Sequence, residues 1–211
     1  MNYIEASNNE LLAELEGLRG QYARYMADII RLDMTRGKPS ADQLELSEKM
    51  LSIISTSEDC FDASGLDCRN YGLLDGIPEA KALFASVIGV HPNQVILGGN
   101  SSLNLMFDTF CRAFCFGNVD SERPWSQEPK VKFICPAPGY DRHFAICQQF
   151  NIQMIPVAMK NDGPDMDAIE ALVAEDAAIK GIWCVPKYSN PTGVVYSDEV
   201  VRRFANLKPK A

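Results

Sequence analysis

VKFICPAPGYDRHFAICQQFNIQMIPVAMK, residues 131–160, is the stretch of sequence that decides the fold. Residues 131–135 and 152–159 are apolar runs typical of buried strands, and residues 140–150 between them are predicted to form a helix. Two consecutive strands joined by a helix run parallel, because the crossover brings the chain back to the same end of the sheet. The stretch therefore predicts an α/β fold.

The alternation of strands and helices continues on both sides. Residues 95–97 and 181–185 are predicted to be further strands, and helices are expected from Ser101, over residues 165–176 and from Ser197. This order implies crossover connections and a mostly parallel, buried sheet, which binds ligands at the carboxyl ends of its strands.

The N-terminal part of the chain is predicted to be helical. Residues 10–31 carry apolar side chains at helical spacing, which indicates an amphipathic helix. A second helix is expected over residues 42–55, followed by a loop over residues 57–76. Pro78, a favourable first-turn residue, is expected to begin a helix that ends near Gly89.

Composition and charge exclude several classes of protein. Hydrophobic residues make up 46% of the 211 residues, a value typical of globular proteins. The net charge of −8 argues against binding to nucleic acid or to an anionic membrane. No stretch approaches the ~20 apolar residues that span a bilayer, and the N-terminus lacks the apolar core of a secretory signal.

The seven cysteines indicate a reducing compartment. They are scattered, odd in number and without a CxxC motif, so we expect a cytoplasmic protein. Cys111 and Cys115, four residues apart, could share a helix face as metal ligands. Because His91 and His143 lie in other segments, we instead interpret the cysteines as small buried hydrophobic residues and expect no metal site.

The loop after the strand at residues 95–97 is suited to a phosphate. Gly98 and Gly99 allow the backbone to approach a ligand closely, and Asn100, Ser101 and Ser102 begin a helix whose first N–H groups are free. The alternative is a purely structural one, because asparagine and serine are preferred helix N-caps.

The other two loops carry an aromatic ring and an amide. Tyr140 follows a strand and can stack on a flat ligand, the alternative being a tyrosine of the core or the surface. Neighbouring Arg142 and His143 are assigned no role. Asn190, in the loop VPKYSNPTG at residues 185–193, precedes a proline that directs its carboxamide, which can donate to a phenolate-type oxygen. The alternative there is a plain turn.

With these motifs the sequence resembles the class I/II aminotransferases of the pyridoxal 5′-phosphate (PLP)-dependent fold type I. The NPTG motif at 190–193, the loop at 99–102 and PGY at 138–140 occur in that family's order and approximate spacing. Three segments are similar to its MocR-like, aspartate-aminotransferase-type branch, namely TRGKP at 35–39, GGNSSLNL at 98–105 and CPAPGYDRH at 135–143. The resemblance extends from about residue 30 to the end of the chain.

The resemblance implies a fold and a cofactor site. Residues 57–211 would form the three-layer, mostly parallel sheet of the fold type I large domain. Residues 1–56 would form an N-terminal helical arm that is part of the small domain. The phosphate of bound PLP would be held by Asn100, Ser101 and Ser102. Tyr140 would stack on its pyridine ring, and Asn190 would hydrogen-bond to the ring O3′.

The resemblance further implies an assembly. Tyr71 is similar to the tyrosine that reaches the phosphate of the neighbouring subunit, the alternative being a buried core tyrosine. Gly37 is similar to the glycine near the substrate carboxylate, where a side chain would obstruct the pocket. A cofactor site shared across a two-fold axis implies a homodimer.

The sequence departs from the family's pattern after Gly193. Transamination requires a lysine that anchors the cofactor as a Schiff base, an acid beside the pyridinium nitrogen and an arginine for the substrate carboxylate. In the family these residues follow the NPTG motif. Lys187, Lys208 and Lys210 are not expected to replace that lysine, so residues 1–211 are expected to be a truncated N-terminal portion that is inactive alone.

The implied function of the full-length protein is PLP-dependent transfer of an amino group between an amino acid and a 2-oxo acid. The branch suggests aspartate as the donor. One alternative is a lyase or decarboxylase that uses the same site, and another is a non-catalytic, ligand-sensing domain of a MocR-type regulator. The acidic N-terminal helix argues against DNA binding and thus against the last alternative.

Overall fold

The computed structural model describes residues 2–28 and 37–211. They divide into two compact units, an N-terminal unit, Met1–Tyr71, and a C-terminal unit, Gly72–Ala211. The predicted division into residues 1–56 and 57–211 stays a prediction. Residues 29–31 of the first predicted helix, and Thr35 and Arg36 of the TRGKP segment, lie outside the described residues.

The N-terminal unit contains two α-helices, α1 (Asn8–Ala27) and α2 (Ala41–Glu45), and two short 3₁₀ turns, Glu48–Ser52 and Glu58–Cys60. A capping box begins α1, in which the Ser7 hydroxyl accepts from the Glu10 N–H and the Glu10 carboxylate accepts from the Ser7 N–H. The predicted helix is therefore confirmed over Asn8–Ala27, although none of its side chains is buried.

The single helix predicted over residues 42–55 is wrong. The structure has α2 and then a 3₁₀ turn, with Ser47 between them. Both the N–H and the hydroxyl of Ser47 donate to the carbonyl of Leu44, three residues back. A side-chain hydroxyl that competes for a backbone carbonyl in this way favours a turn over continuation of the helix.

The C-terminal unit alternates helices and strands as predicted. Its helices are α3 (Pro78–Ile88), α4 (Ser102–Phe116), α5 (Asp141–Gln149), α6 (Met166–Glu175) and α7 (Asp198–Ala205). Its strands are β1 (Lys132–Ala137), β2 (Gln153–Lys160), β3 (Gly163–Pro164) and β4 (Ile179–Ile182), and short 3₁₀ turns cover Pro92–Gln94 and Trp125–Gln127. Helix α3 ends where predicted, because Gly89 adopts the left-handed conformation that closes a helix.

The sheet has the order β3-β2-β1-β4 and is mixed. Strand β1 pairs in parallel with β2, from Lys132 opposite Gln153 onward, and in parallel with β4 on its other side. The two-residue β3 is antiparallel to β2, because Asn161 and Asp162 form a tight hairpin turn between Lys160 and Gly163. The sheet is therefore parallel across three strands, with a short antiparallel edge that the sequence analysis missed.

The strand predicted over residues 95–97 is wrong. Although Val95 is buried, Ile96 is 79% exposed, and the segment has no strand assignment. The N–H of Leu97 donates to the carbonyl of Asp75, in a loop. An apolar run becomes a strand only when a neighbouring strand pairs with it, and the described residues place none beside this segment.

Two hydrophobic clusters lie on opposite faces of the sheet. Phe133 and Cys135 of β1 pack with side chains of α4 and α5. Ile134, between them in the sequence, points to the other face and packs with side chains of α6 and α7. Helices thus cover both faces of the sheet, in three layers.

Burial of the cysteines differs from the expectation. Cys135 and Cys147 are buried, but Cys68, Cys115 and Cys184 are exposed. These three lie in a loop, in the last turn of α4 and after β4. Within the described ranges, no helix is both long and apolar enough to cross a bilayer. The cytoplasmic location stays a prediction.

Candidate functional site

The parallel arrangement brings the loops after β1 and β4 to the same edge of the sheet. Tyr140 lies in the first of these loops, as the residue that caps α5, and Asn190 lies in the second. Both side chains line one cleft at this edge. The remaining lining residues include three aromatic or imidazole rings and one buried hydroxyl, those of His143, Trp183, Tyr196 and Ser189.

Gly139 allows the tight turn that presents Tyr140. A Cβ atom at this position would collide with the carbonyl oxygen of Pro136 and would lie 2.8 Å from Cζ of Phe144. Because the Pro136 oxygen belongs to the end of β1, it cannot move aside without disturbing the sheet. Glycine is therefore required here for steric reasons.

The loop that carries Asn190 is held by its own backbone hydrogen bonds. The N–H of Ser189 donates to the carbonyl of Val194 at 2.9 Å, and the N–H of Tyr196 donates to the carbonyl of Pro186 at 3.0 Å. Burial raises the pKa of Tyr196 to about 12, so its phenol stays neutral. The carboxamide of Asn190 is exposed at the tip of this closed loop.

The start of α4 has the geometry of a capped helix. The Ser101 hydroxyl accepts from the N–H of Asn104 at 3.3 Å, so Ser101 is the N-cap of the helix. The N–H of Leu105 makes the first bond of the helical ladder, to the carbonyl of Ser101. The N–H groups of Ser102 and Leu103 precede that bond and are left for another partner.

The phosphate role assigned to this turn stays a prediction. Asn100 and Ser102 are exposed, and no atom lies within 4 Å of a Cβ atom built on Gly99. At Gly98, in contrast, a Cβ atom would approach the Leu105 side chain to 2.5 Å. The turn is thus open to a ligand on its Gly99 side. It is not among the residues that line the cleft of Tyr140 and Asn190.

Tyr71 and Gly37 belong to the N-terminal unit. Tyr71 is 97% exposed, so the alternative of a buried core tyrosine is wrong. No atom lies within 4 Å of a Cβ atom built on Gly37. Their predicted roles, at a neighbouring subunit's phosphate and at the substrate carboxylate, stay predictions.

His143 is a residue of the cleft to which the sequence analysis assigned no role. It is only 6% exposed, lies edge-on to Tyr140 at 5.1 Å between ring centroids and stacks on Trp183 at 4.5 Å. Burial lowers its pKa, which favours the neutral imidazole. The sequence did contain a signal for this position. His143 lies three residues after Tyr140, a spacing that places both side chains on one side of a helical turn.

The lowered pKa of His143 predicts a pH-dependent stability. As the pH falls through the ordinary histidine pKa of about 6.5, the unfolded chain takes up a proton that the folded chain does not, so the folded state loses stability. We expect the urea concentration at the midpoint of unfolding to decrease as the pH is lowered from about 7.5 to about 5.5. This pH range lies above the one in which carboxylates titrate. The His143→Gln variant should show a smaller decrease. His91→Gln, the matched control, should keep the wild-type decrease, and equal decreases in all three proteins would contradict the prediction.

Comparison with known proteins assigns the family. The sequence model of the family described as "Aspartate amino-transferase" matches residues 6–211. An aspartate aminotransferase of Corynebacterium glutamicum is 44% identical over 196 residues, which are 93% of this chain and 45% of that protein. A protein of Mycolicibacterium smegmatis named as an aminotransferase is 49% identical over 212 residues, covering all of this chain and 50% of its own length.

A solved structure agrees with these relatives. The crystal structure of an aspartate transaminase from Corynebacterium glutamicum superposes with a TM-score of 0.88 at 42% identity, over 98% of this chain and 48% of that one. The chain thus spans about half the length of the curated relatives that it matches. Because the family model covers nearly the whole chain, this protein belongs to the aspartate aminotransferase family.

Proposed function

We propose that this chain supplies the cofactor-binding part of a PLP-dependent aminotransferase of fold type I, in the MocR-like, aspartate-aminotransferase-type branch. The reaction is transfer of an amino group between an amino acid, with aspartate the suggested donor, and a 2-oxo acid. The observation that carries the proposal is the convergence of Tyr140 and Asn190, from loops distant in the sequence, on one cleft at the carboxyl edge of the sheet.

The residues around the cleft have the chemistry that PLP requires. The Tyr140 ring offers a flat surface for a pyridine ring, and the exposed Asn190 carboxamide can donate to the ring O3′. At α4, the open turn at Gly99 and the free N–H groups of Ser102 and Leu103 suit a phosphate dianion, which the positive end of the helix dipole favours. When bound, PLP supplies the electron sink that stabilises negative charge at the substrate α-carbon.

The proposed assembly is a homodimer. Tyr71 is exposed, as is required of a side chain that reaches the phosphate bound by a second subunit. Among the described residues, no atom lies within 4 Å of a Cβ atom built on Gly37, the glycine proposed to lie near the substrate carboxylate. The proposed ligands are thus PLP, an amino acid and a 2-oxo acid, without nucleic acid, for which the net charge of −8 is unfavourable.

Binding of pyridoxamine 5′-phosphate to the purified chain tests the cofactor site. This form of the cofactor carries no aldehyde, so it does not react with surface lysines. We expect Tyr140→Ala and Asn190→Ala each to weaken binding about tenfold, the loss of one aromatic or hydrogen-bonded contact. Asn93→Ala, which changes an exposed asparagine away from the cleft, is the matched control and should bind as wild type does. A wild-type chain that does not bind, or binding that neither cleft variant weakens, would refute the site.

Amino transfer itself is tested on the intact gene product with aspartate and 2-oxoglutarate. Glutamate is the expected product of an aminotransferase. Pyruvate or alanine formed without glutamate would instead indicate the lyase or decarboxylase reaction.

A further inference from the structure

A column of stacked rings extends from the cleft into the core. His143 lies nearly parallel to Trp183, with ring centroids 4.5 Å apart and an interplanar angle of 13°. Beyond it, Trp183 stacks on Phe110 of α4 at 4.8 Å and 3°. At the cleft end, the Tyr140 ring meets the edge of His143 at 87°. The four rings, from Tyr140 through His143 and Trp183 to Phe110, thus form one continuous contact, because each ring touches the next.

Trp183 is the fixed member of this column. It directly follows β4, and its backbone N–H donates to the carbonyl of Ile134 in β1. Its indole Nε1–H donates to Sγ of Cys147, at 3.3 Å, and Cys147 is fully buried in α5. The indole is therefore held by a ring on each face and by a hydrogen bond at its edge.

His143 depends on Trp183 for its orientation. Burial lowers its pKa. Among the described residues its ring contacts are the stack on Trp183 and the edge-on contact with Tyr140, and the stack on the fixed indole sets the imidazole plane. Within the described part of the chain, the Tyr140 ring contacts one other ring, that of His143.

We infer that Trp183 is a positioning residue of the cofactor site. Through His143 it fixes the plane of the Tyr140 ring, the surface on which the pyridine ring of the cofactor stacks. This inference rests on the proposed function. The Cys147 thiol holds the indole in place and does not contact the cofactor.

Comparison of two ligands separates positioning from general stability. Pyridoxamine 5′-phosphate carries a ring and a phosphate, whereas inorganic phosphate carries only the latter. In Trp183→Leu we expect binding of pyridoxamine 5′-phosphate to weaken about three- to tenfold, as for the loss of one aromatic contact, and binding of inorganic phosphate to stay unchanged. Trp183→Phe, which keeps a stacking ring, should restore most of the affinity.

Trp125→Leu is the matched control. Trp125 is also buried and contacts Phe110, but among the described residues its ring contacts do not include His143. This variant should lose stability and keep the ratio of the two affinities. If Trp183→Leu does not fold, Cys147→Ala carries the test, because it removes the hydrogen bond to the indole and the contact with Cys135 but keeps every ring of the column, and it should lower the affinity for pyridoxamine 5′-phosphate alone.

The ring protons of His143, followed by NMR, give a readout without ligand. In wild type they should be shifted upfield by the indole ring, with a pKa below the ordinary histidine value. In Trp183→Leu the upfield shift should disappear. Unchanged histidine signals, or an unchanged affinity ratio in Trp183→Leu, would overturn the inference and leave the proposed function intact. A wild-type chain that binds neither ligand would overturn both.

Discussion

Replacement of Ile134 by alanine is expected to lower the free energy of unfolding by about 2–5 kcal/mol, the cost of leaving a cavity in a packed core. Ile134 is 0% exposed and lies in β1, the strand that pairs with neighbours on both sides. It packs between the sheet and helices α6 and α7, where the rigid sheet limits collapse around the missing atoms.

Urea unfolding of Ile134→Ala, followed by circular dichroism, measures this effect. Ile96→Ala is the matched control, because the same atoms are removed from a side chain that is 79% exposed, and it should change the stability by less than about 0.5 kcal/mol. Similar losses in the two variants would show that Ile134 is not in the core.

Gly139→Ala is expected to lower the free energy of unfolding by about 1–3 kcal/mol, because the added methyl group overpacks the turn. The added methyl group would collide with the Pro136 carbonyl oxygen and with the ring of Phe144. To accommodate it, the turn must open and carry Tyr140 with it. We therefore expect weaker binding of pyridoxamine 5′-phosphate in addition to the lower stability.

Gly99→Ala provides the control for stability. No atom lies within 4 Å of the added methyl group, and the backbone is not in the left-handed region, so the urea midpoint should stay at or slightly above the wild-type value. A Gly139→Ala variant as stable as Gly99→Ala would mean that the turn before α5 has more room than the structure shows.

Much of the C-terminal unit could be predicted because its local signals agree with its packing. Helix α3 has a proline in its first turn and a glycine at its end, and α6 and α7 are capped by Asp165 and Ser197. Strand β1 is an apolar run with four consecutive buried residues, and β2 is a mainly apolar run in which Val157 is buried. Where a local signal depended on a distant partner, as for residues 95–97, the prediction failed.

The same distinction between local signals and distant partners applies to the residues of the candidate site. Tyr140 and Asn190 could be singled out from the sequence because each follows an apolar run that was predicted as a strand, although β4 covers Ile179–Ile182 rather than the predicted residues 181–185. The spacing of His143 from Tyr140 was a signal, but its stack on Trp183 could not be predicted, since the two residues lie 40 positions apart along the chain.

By itself, the sequence determined the alternating α/β order, the caps that begin and end its helices, and the motifs that place this chain among aminotransferase-like proteins. These features depend on residues close together along the chain, so their periodicity and spacing are visible without a structure. Only the tertiary structure decided that Tyr140 and Asn190 share a cleft, that residues 95–97 form no strand, and that a stacked column runs from Tyr140 through Trp183 to Phe110. Those outcomes depend on which distant segments pack together, and that is a property of the folded chain.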